Sequence, residues 1–125
     1  MMSLGGLQNL DLSGNKLHGR IPSNIGNLKM MESLDLSRNK LSWSIPPSIS
    51  SLNYLSYLNL SFNNLSGHIP FGNQLQTLDD KSIYIGNNGL CGPPLKSCPG
   101  VDSTSEGHER IRYRINDEQE THWFY

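Results

Sequence analysis

From Leu7 to Pro70 the apolar positions recur at a fixed spacing. Leu10, Leu34 and Leu58 lie 24 residues apart. So do Leu12, Leu36 and Leu60; Leu17, Leu41 and Leu65; Ile21, Ile45 and Ile69; and Pro22, Pro46 and Pro70. A polar column, Asn15, Asn39 and Asn63, keeps the same period. Leucines two apart share one side of a strand, while Asn9, Asp11 and Ser13 face the other way. Each unit therefore predicts a short strand, a turn and a return leg, and it cannot bury its leucines alone. Stacking pairs the strands in parallel about 4.8 Å apart and joins the leucines into one core, a solenoid. The asparagine column follows each strand where the chain turns inward, and its amides can hydrogen-bond the backbone of neighbouring turns. The Ile-Pro pairs fix φ and remove a donor, which predicts an irregular return leg rather than a helix.

Written out, the unit is x-x-L-x-x-L-x-L-S-x-N-x-L-S-G-x-I-P-x-x-I-x-x-L. It resembles the plant-specific leucine-rich repeat, the type found in the ectodomains of plant receptor-like proteins, receptor-like kinases and polygalacturonase-inhibiting proteins. The resemblance implies a leucine-rich-repeat solenoid, with parallel strands on a concave face, irregular or 3-10 return legs, a C-terminal cap and a disordered tail. The chain departs from the pattern at Trp43, where the other repeats have Gly19 and Gly67. That bulk is expected to disturb the second short strand this repeat type carries.

Residues 1–70 are read as three repeats. Residues 71–100 leave the period, and Gly86–Leu95, GNNGLCGPPL, resembles the C-terminal cap of plant leucine-rich-repeat ectodomains. The run Asn73-Gln74-Leu75-Gln76-Thr77 resembles receptor-like proteins in particular. Leu75, Leu78, Ile83, Ile85 and Leu90 are the apolar residues available to cover the last leucine layer. Within that cap the only intrachain pairing open to the two cysteines is Cys91–Cys98, a short loop that fits an oxidising compartment. A C-x6-C pair lacks the further ligands zinc requires and is not the C-x-x-C of a redox enzyme. Residues 101–125 lose the leucines and read as a polar linker. They end in Trp123-Phe124-Tyr125, similar to the start of the membrane helix in receptor-like proteins.

The opening MMSLGGLQNL lacks a basic start and an apolar stretch, so it does not read as a signal peptide. It reads as the start of a repeat, with Leu4 in phase with Leu28 and Leu52. A stack without an atypical first repeat is expected to be a fragment or the product of a truncated gene. About three repeats is near the minimum for independent stability, so marginal stability is expected. No apolar run is long enough to span a membrane.

The strand face carries Gln8, Asn9, Asp11 and Gly14, then Glu32, Ser33, Asp35 and Arg38, then Ser56, Tyr57, Asn59 and Phe62. Solenoids present this surface to partners. Tyr57, Phe62 and Arg38 are of types enriched at binding hot spots, although the two aromatics can equally serve to cover the edge of the core. Asp11 and Asp35 would stack at strand spacing, unfavourably for like charges unless water or a cation intervenes. A solvated face is the reading preferred over a metal site. Asn59-Leu-Ser61 and Asn64-Leu-Ser66 are N-glycosylation acceptor sequences, of which Asn64 points outward while Asn59 lies on the strand face.

The net charge of −1 gives no whole-chain argument for nucleic acid or an anionic membrane. His18, His68, His108 and His122 form no column, and no serine or cysteine has a histidine and an acid at suggestive spacing. The cap glycines are not a G-x-G-x-x-G fingerprint, and no kinase motif is present. No enzyme and no cofactor is expected. What the resemblance implies is a protein-interaction module from the membrane-proximal end of a plant receptor-like protein ectodomain, on the extracellular side of the plasma membrane. Its partners would be a receptor kinase or co-receptor, with a peptide or wall-derived ligand read on repeats absent from this chain. Three alternatives stand beside it: a receptor-like kinase ectodomain, a soluble wall inhibitor protein and a gene remnant.

Overall fold

The computed structural model describes residues 5–99. Leu4, the linker reading of residues 101–125 and the terminal Trp123-Phe124-Tyr125 lie outside the described residues.

Among the described residues seven short strands build two parallel sheets. β1 (Asn9–Asp11), β3 (Ser33–Asp35) and β5 (Tyr57–Asn59) form the first, in the order β1-β3-β5. Its register is the sequence period itself: Leu10 pairs with Leu34 and Leu34 with Leu58. β2 (His18–Gly19), β4 (Lys40–Trp43), β6 (Asn64–His68) and β7 (Gly89–Cys91) form the second, lateral sheet. The return legs are single 3-10 turns at Ser23–Asn27, Pro47–Ser51 and Asn73–Thr77, and a fourth turn spans Lys81–Ile83. Pro22 and Pro46 are extended just before the first two turns. Their carbonyls accept the N–H of Ile25 and Ile49 at 3.1 Å, and both isoleucines are fully buried. The core lies between the sheets and the return legs. Leu34, Leu36, Leu41, Leu52, Leu60 and Leu65 are all wholly buried in it.

The asparagines hold the turns together. Asn39 Nδ2 donates to the Leu12, Leu36 and Ser37 carbonyls at 3.0–3.1 Å, and its Oδ1 accepts the Leu17 N–H at 3.0 Å. Asn63 repeats the set on Leu36, Leu60, Ser61 and Leu41. The ladder then continues into the cap. Asn87 donates to Leu60, Tyr84 and Ile85 and accepts from Leu65 at 2.9 Å. Tyr84, 1 % exposed, occupies the column of Leu12, Leu36 and Leu60. The Leu60 and Phe62 N–H groups donate to Ile83 and Ile85 as Leu36 and Arg38 do to Asn59 and Ser61. The period thus persists physically beyond Pro70, where the leucine pattern alone has it end.

Two details differ from the sequence expectation. Ile85 does not cover the core: Tyr84 takes the inward slot, and its neighbour is left 42 % exposed. Trp43 does not disrupt its strand either. It is the last residue of β4 and pairs with Leu65. Trp43 takes the same left-handed backbone as its glycine counterparts, φ 69° against 84° at Gly19 and 89° at Gly67. Cys91 and Cys98 are disulfide-bonded with Cα atoms 4.8 Å apart. The loop between them is closed further by the Gly92 N–H donating to Lys96 and the Leu95 N–H donating to Gly92, both at 2.7 Å.

Candidate partner-binding face

On β1, β3 and β5 the inward leucines leave Asn9, Ser33 and Tyr57 in one outward row and Asp11, Asp35 and Asn59 in the next. Gln8, Glu32 and Ser56 form a third exposed row just before the strands. Here the backbones are knitted closely. The Gln8 carbonyl accepts both the Glu32 and Ser33 N–H groups, and the Glu32 carbonyl accepts those of Ser56 and Tyr57. Gln8 Nε2 reaches Glu32 Oε2 at 3.5 Å.

Asp11 and Asp35 are cross-strand partners, yet each serves a turn of its own. Asp11 Oδ1 accepts the Ser13 N–H at 3.0 Å and the Ser13 hydroxyl at 2.7 Å. Asp35 does the same with Ser37, and Asn59 with Ser61. The Ser13 hydroxyl and then its N–H hold the Asp11 carboxyl below the usual carboxylate range. The repeated [DN]-L-S string is therefore a column of side-chain-capped turns, a role that a solvated face does not describe. Among the described residues no group of three His, Cys, Asp or Glu side chains is placed to hold a metal ion.

Arg38 and Phe62 stand in the turn after each strand, both at φ 59°, in the column that begins with Gly14 and ends at Gly86. This left-handed turn sets them on the rim of the sheet. A Cβ on Gly86 would stand 2.5 Å from a Phe62 ring carbon, so glycine there is what lets the ring lie over the cap. Phe62 remains 49 % exposed and Tyr57 47 %, so each both covers its neighbours and presents a free surface. The Tyr57 hydroxyl lies 3.5 Å from Asp35 Oδ2 and 3.4 Å from Asn59 Nδ2, at the outer limit of hydrogen bonding. Beside Tyr57 a cleft of about 310 Å³ opens between β5 and the cap, with Thr77, Asp79 and Asp80 on its far wall. Sequence reasoning missed those three because they belong to no column. Asp80 caps the turn Lys81–Ile83, and the Ser82 N–H holds its carboxyl low.

The two glycosylation candidates separate. Asn64 is exposed at the start of β6 on the lateral sheet. Asn59 is half-buried, its amide oxygen accepts the Ser61 N–H and hydroxyl, and Ser61 itself is buried.

The sequence model of the family described as "Leucine rich repeat" matches residues 3–65, half of the chain. The chain belongs to the leucine-rich-repeat family. Similar solved structures bear the fold out. The BIR3–SERK2 complex from Arabidopsis thaliana aligns at a TM-score of 0.68 and 48 % identity, over 75 % of this chain and 48 % of that one. The ectodomain of the plant membrane receptor kinase GASSHO1/SCHENGEN3 from Arabidopsis thaliana, in complex with CASPARIAN STRIP INTEGRITY FACTOR 2, aligns at 0.66 and 45 %, over 74 % and 11 %. The Arabidopsis receptor kinase HAESA, bound to the peptide hormone IDA and the co-receptor SERK1, aligns at 0.62 and 38 %, over 78 % and 15 %. This leucine-rich-repeat chain thus spans about half or less of the length of these structures. No curated protein sequence matches it. Among the described residues no helix is long and apolar enough to cross a membrane.

Proposed function

We propose that this chain is the membrane-proximal end of the ectodomain of a plant cell-surface receptor-like protein. It is a non-catalytic module that docks a partner receptor kinase or co-receptor in immune or developmental signalling. The observation that carries this reading is the exposed aromatic pair, Tyr57 and Phe62, at the capped end of the concave sheet, with Arg38 beside it. Aromatic rings held half-open on a rigid sheet provide contact area at small entropic cost. Support also comes from relatives solved with co-receptors or peptide ligands. The Cys91–Cys98 disulfide suits an extracellular location, and Asn64 is the preferred glycan acceptor, on a face that leaves the concave sheet clear.

The test uses the full receptor. Arg38→Glu combined with Tyr57→Ala is expected to weaken co-precipitation of the partner kinase about tenfold or more. Unchanged recovery refutes the proposed face. A second reading is favoured by the solved relatives that are themselves receptor kinases: the parent protein is then a receptor-like kinase. A kinase domain encoded downstream of Tyr125 decides for it, and a stop soon after a membrane span decides against it.

A further inference from the structure

Charge is divided between the two sheets. Asp11, Glu32 and Asp35 lie on or beside the concave sheet, whereas β2, β4, β6 and β7 contain no acidic residue. The lateral sheet instead gathers cations over the first two repeats. Lys16 and Lys40 occupy one exposed column, whose third member is Asn64. His18 is exposed and pairs directly with Lys40 across β2 and β4, which sets the two backbones about 4.8 Å apart. Arg20 follows β2, and its guanidinium lies over the Trp43 ring, 5.5 Å from the centroid.

Trp43 is the second observation. Its column is glycine in the repeats on either side, and all three residues have left-handed backbones. Glycine adopts that conformation freely and tryptophan only under strain. The pairing of β4 with β6 does not call for an indole, since Gly67 serves the same place in β6. What the indole adds is an apolar, half-exposed plate against Arg20, on the sheet that carries His18 and Lys40.

We propose that the lateral sheet of repeats one and two is a second binding surface, taking an acidic polysaccharide of the uronic-acid class. The sugar face stacks on Trp43, and Arg20, Lys16 and Lys40 engage carboxylates along the polymer. Arg is suited to a carboxylate because its planar fork makes paired hydrogen bonds. Single-stranded nucleic acid fits less well. It is bound by stacking successive bases on several rings, and this sheet presents one indole with one face already covered by Arg20. The disulfide also suits a compartment outside the cell. The surface is separate from the concave face, so the proposal stands whatever the concave face binds.

The experiment titrates the oxidised chain over immobilised polygalacturonate at low salt, with neutral dextran and single-stranded DNA as comparators. Binding to polygalacturonate is expected, with none to dextran. It should weaken about tenfold in K16E/K40E and fade at about 0.5 M salt. Trp43→Gly should weaken it about threefold while leaving the thermal midpoint unchanged or higher, which separates stacking from folding. Absence of binding, undiminished binding by K16E/K40E, or DNA bound as tightly as polygalacturonate overturns the proposal. Should a variant fail to fold, amide shifts of the unmodified chain on adding oligogalacturonate decide. Shifts at residues 16–20 and 40–44 support the lateral sheet, and shifts confined to 57–62 overturn it.

Discussion

Within the described residues the two ends of the stack share one repeat plan and are covered to different degrees. At the capped end Leu58, Leu60 and Leu65 are covered by Ile83, Tyr84 and Leu90, and Asn87 adds a complete rung to the asparagine ladder. At the other end Leu10, Leu12 and Leu17 are only half-buried. Among the described residues Asn15 donates to the Leu12 and Ser13 carbonyls of its own turn. The comparison teaches what a cap has to supply. It preserves the hydrogen-bond rung and the inward apolar slot, while the residue types filling that slot are free to change from leucine to tyrosine.

The sharpest test of this difference truncates the same leucine column at two places. Leu36 is wholly buried, so Leu36→Ala should cost about 4 kcal/mol, while Leu12→Ala at the half-open edge should cost about 2 kcal/mol. Three repeats leave little reserve. The unaltered chain is therefore expected to unfold with a urea midpoint below about 4 M, and Leu36→Ala should lower that midpoint about twice as far as Leu12→Ala. Equal shifts for the two variants would mean that the first repeat is as well covered as the second.

The ladder gives the next test. Asn87→Ala removes the partners of the Leu65 N–H and the Leu60 and Tyr84 carbonyls. About 3 kcal/mol is the expected loss, because buried polar groups are stranded. Asn15→Ala strands nothing beyond its own turn and should cost about 1 kcal/mol or less. Urea unfolding of both variants measures the gap. A loss at Asn87 no larger than at Asn15 would show that the cap is joined by apolar contact alone.

Much of this architecture is legible in the sequence, and the reasons differ residue by residue. The leucine columns are readable because a period of 24 and a parity of two admit one inward set. Asn87 keeps the spacing of Asn63, but it is masked because Ser82 and Gly89 occupy the places where Leu58 and Leu65 would recur. The Asp11 and Asp35 turns are legible in the sequence as [DN]-L-S, whose serine donates back to the acid two residues before it. The left-handed backbones of Arg38, Trp43 and Phe62 are foreshadowed by glycines in the same columns. What no period conveys is contact between side chains of different columns. Arg20 over Trp43 and Phe62 over Gly86 depend on rotamers and on the tilt between repeats, which only the folded chain fixes.

The disulfide tests the capped end by a different route. Cys91 and Cys98 enclose a loop of seven-residue separation, so replacing both with serine should cost about 2 kcal/mol through the greater freedom of the unfolded chain. The loss should appear in urea unfolding of the double variant and vanish when the unaltered chain is compared under reducing conditions. A difference that persists under reduction would assign the cost to packing of the serines instead.

The smallest expected effect concerns the residue that replaces leucine in the cap. Burial pushes the Tyr84 hydroxyl up from 10.0 to about 12. In the unfolded chain the proton leaves near the ordinary value, and in the folded chain it is held to the higher one. Between those values the unfolded state binds fewer protons, so stability falls as pH rises through this window and is unaffected below it. The loss should reach about 1–2 kcal/mol near pH 12, reduced by water in the cleft that Tyr84 lines with Phe71, Leu75 and Pro93. The informative quantity is the difference between the unaltered chain and Tyr84→Phe, which cancels every other group that ionises at alkaline pH. The phenylalanine variant should lose less stability between pH 10 and 12, by that amount. Parallel curves would place the hydroxyl in water, and the capped end would then be more open than its leucine column requires.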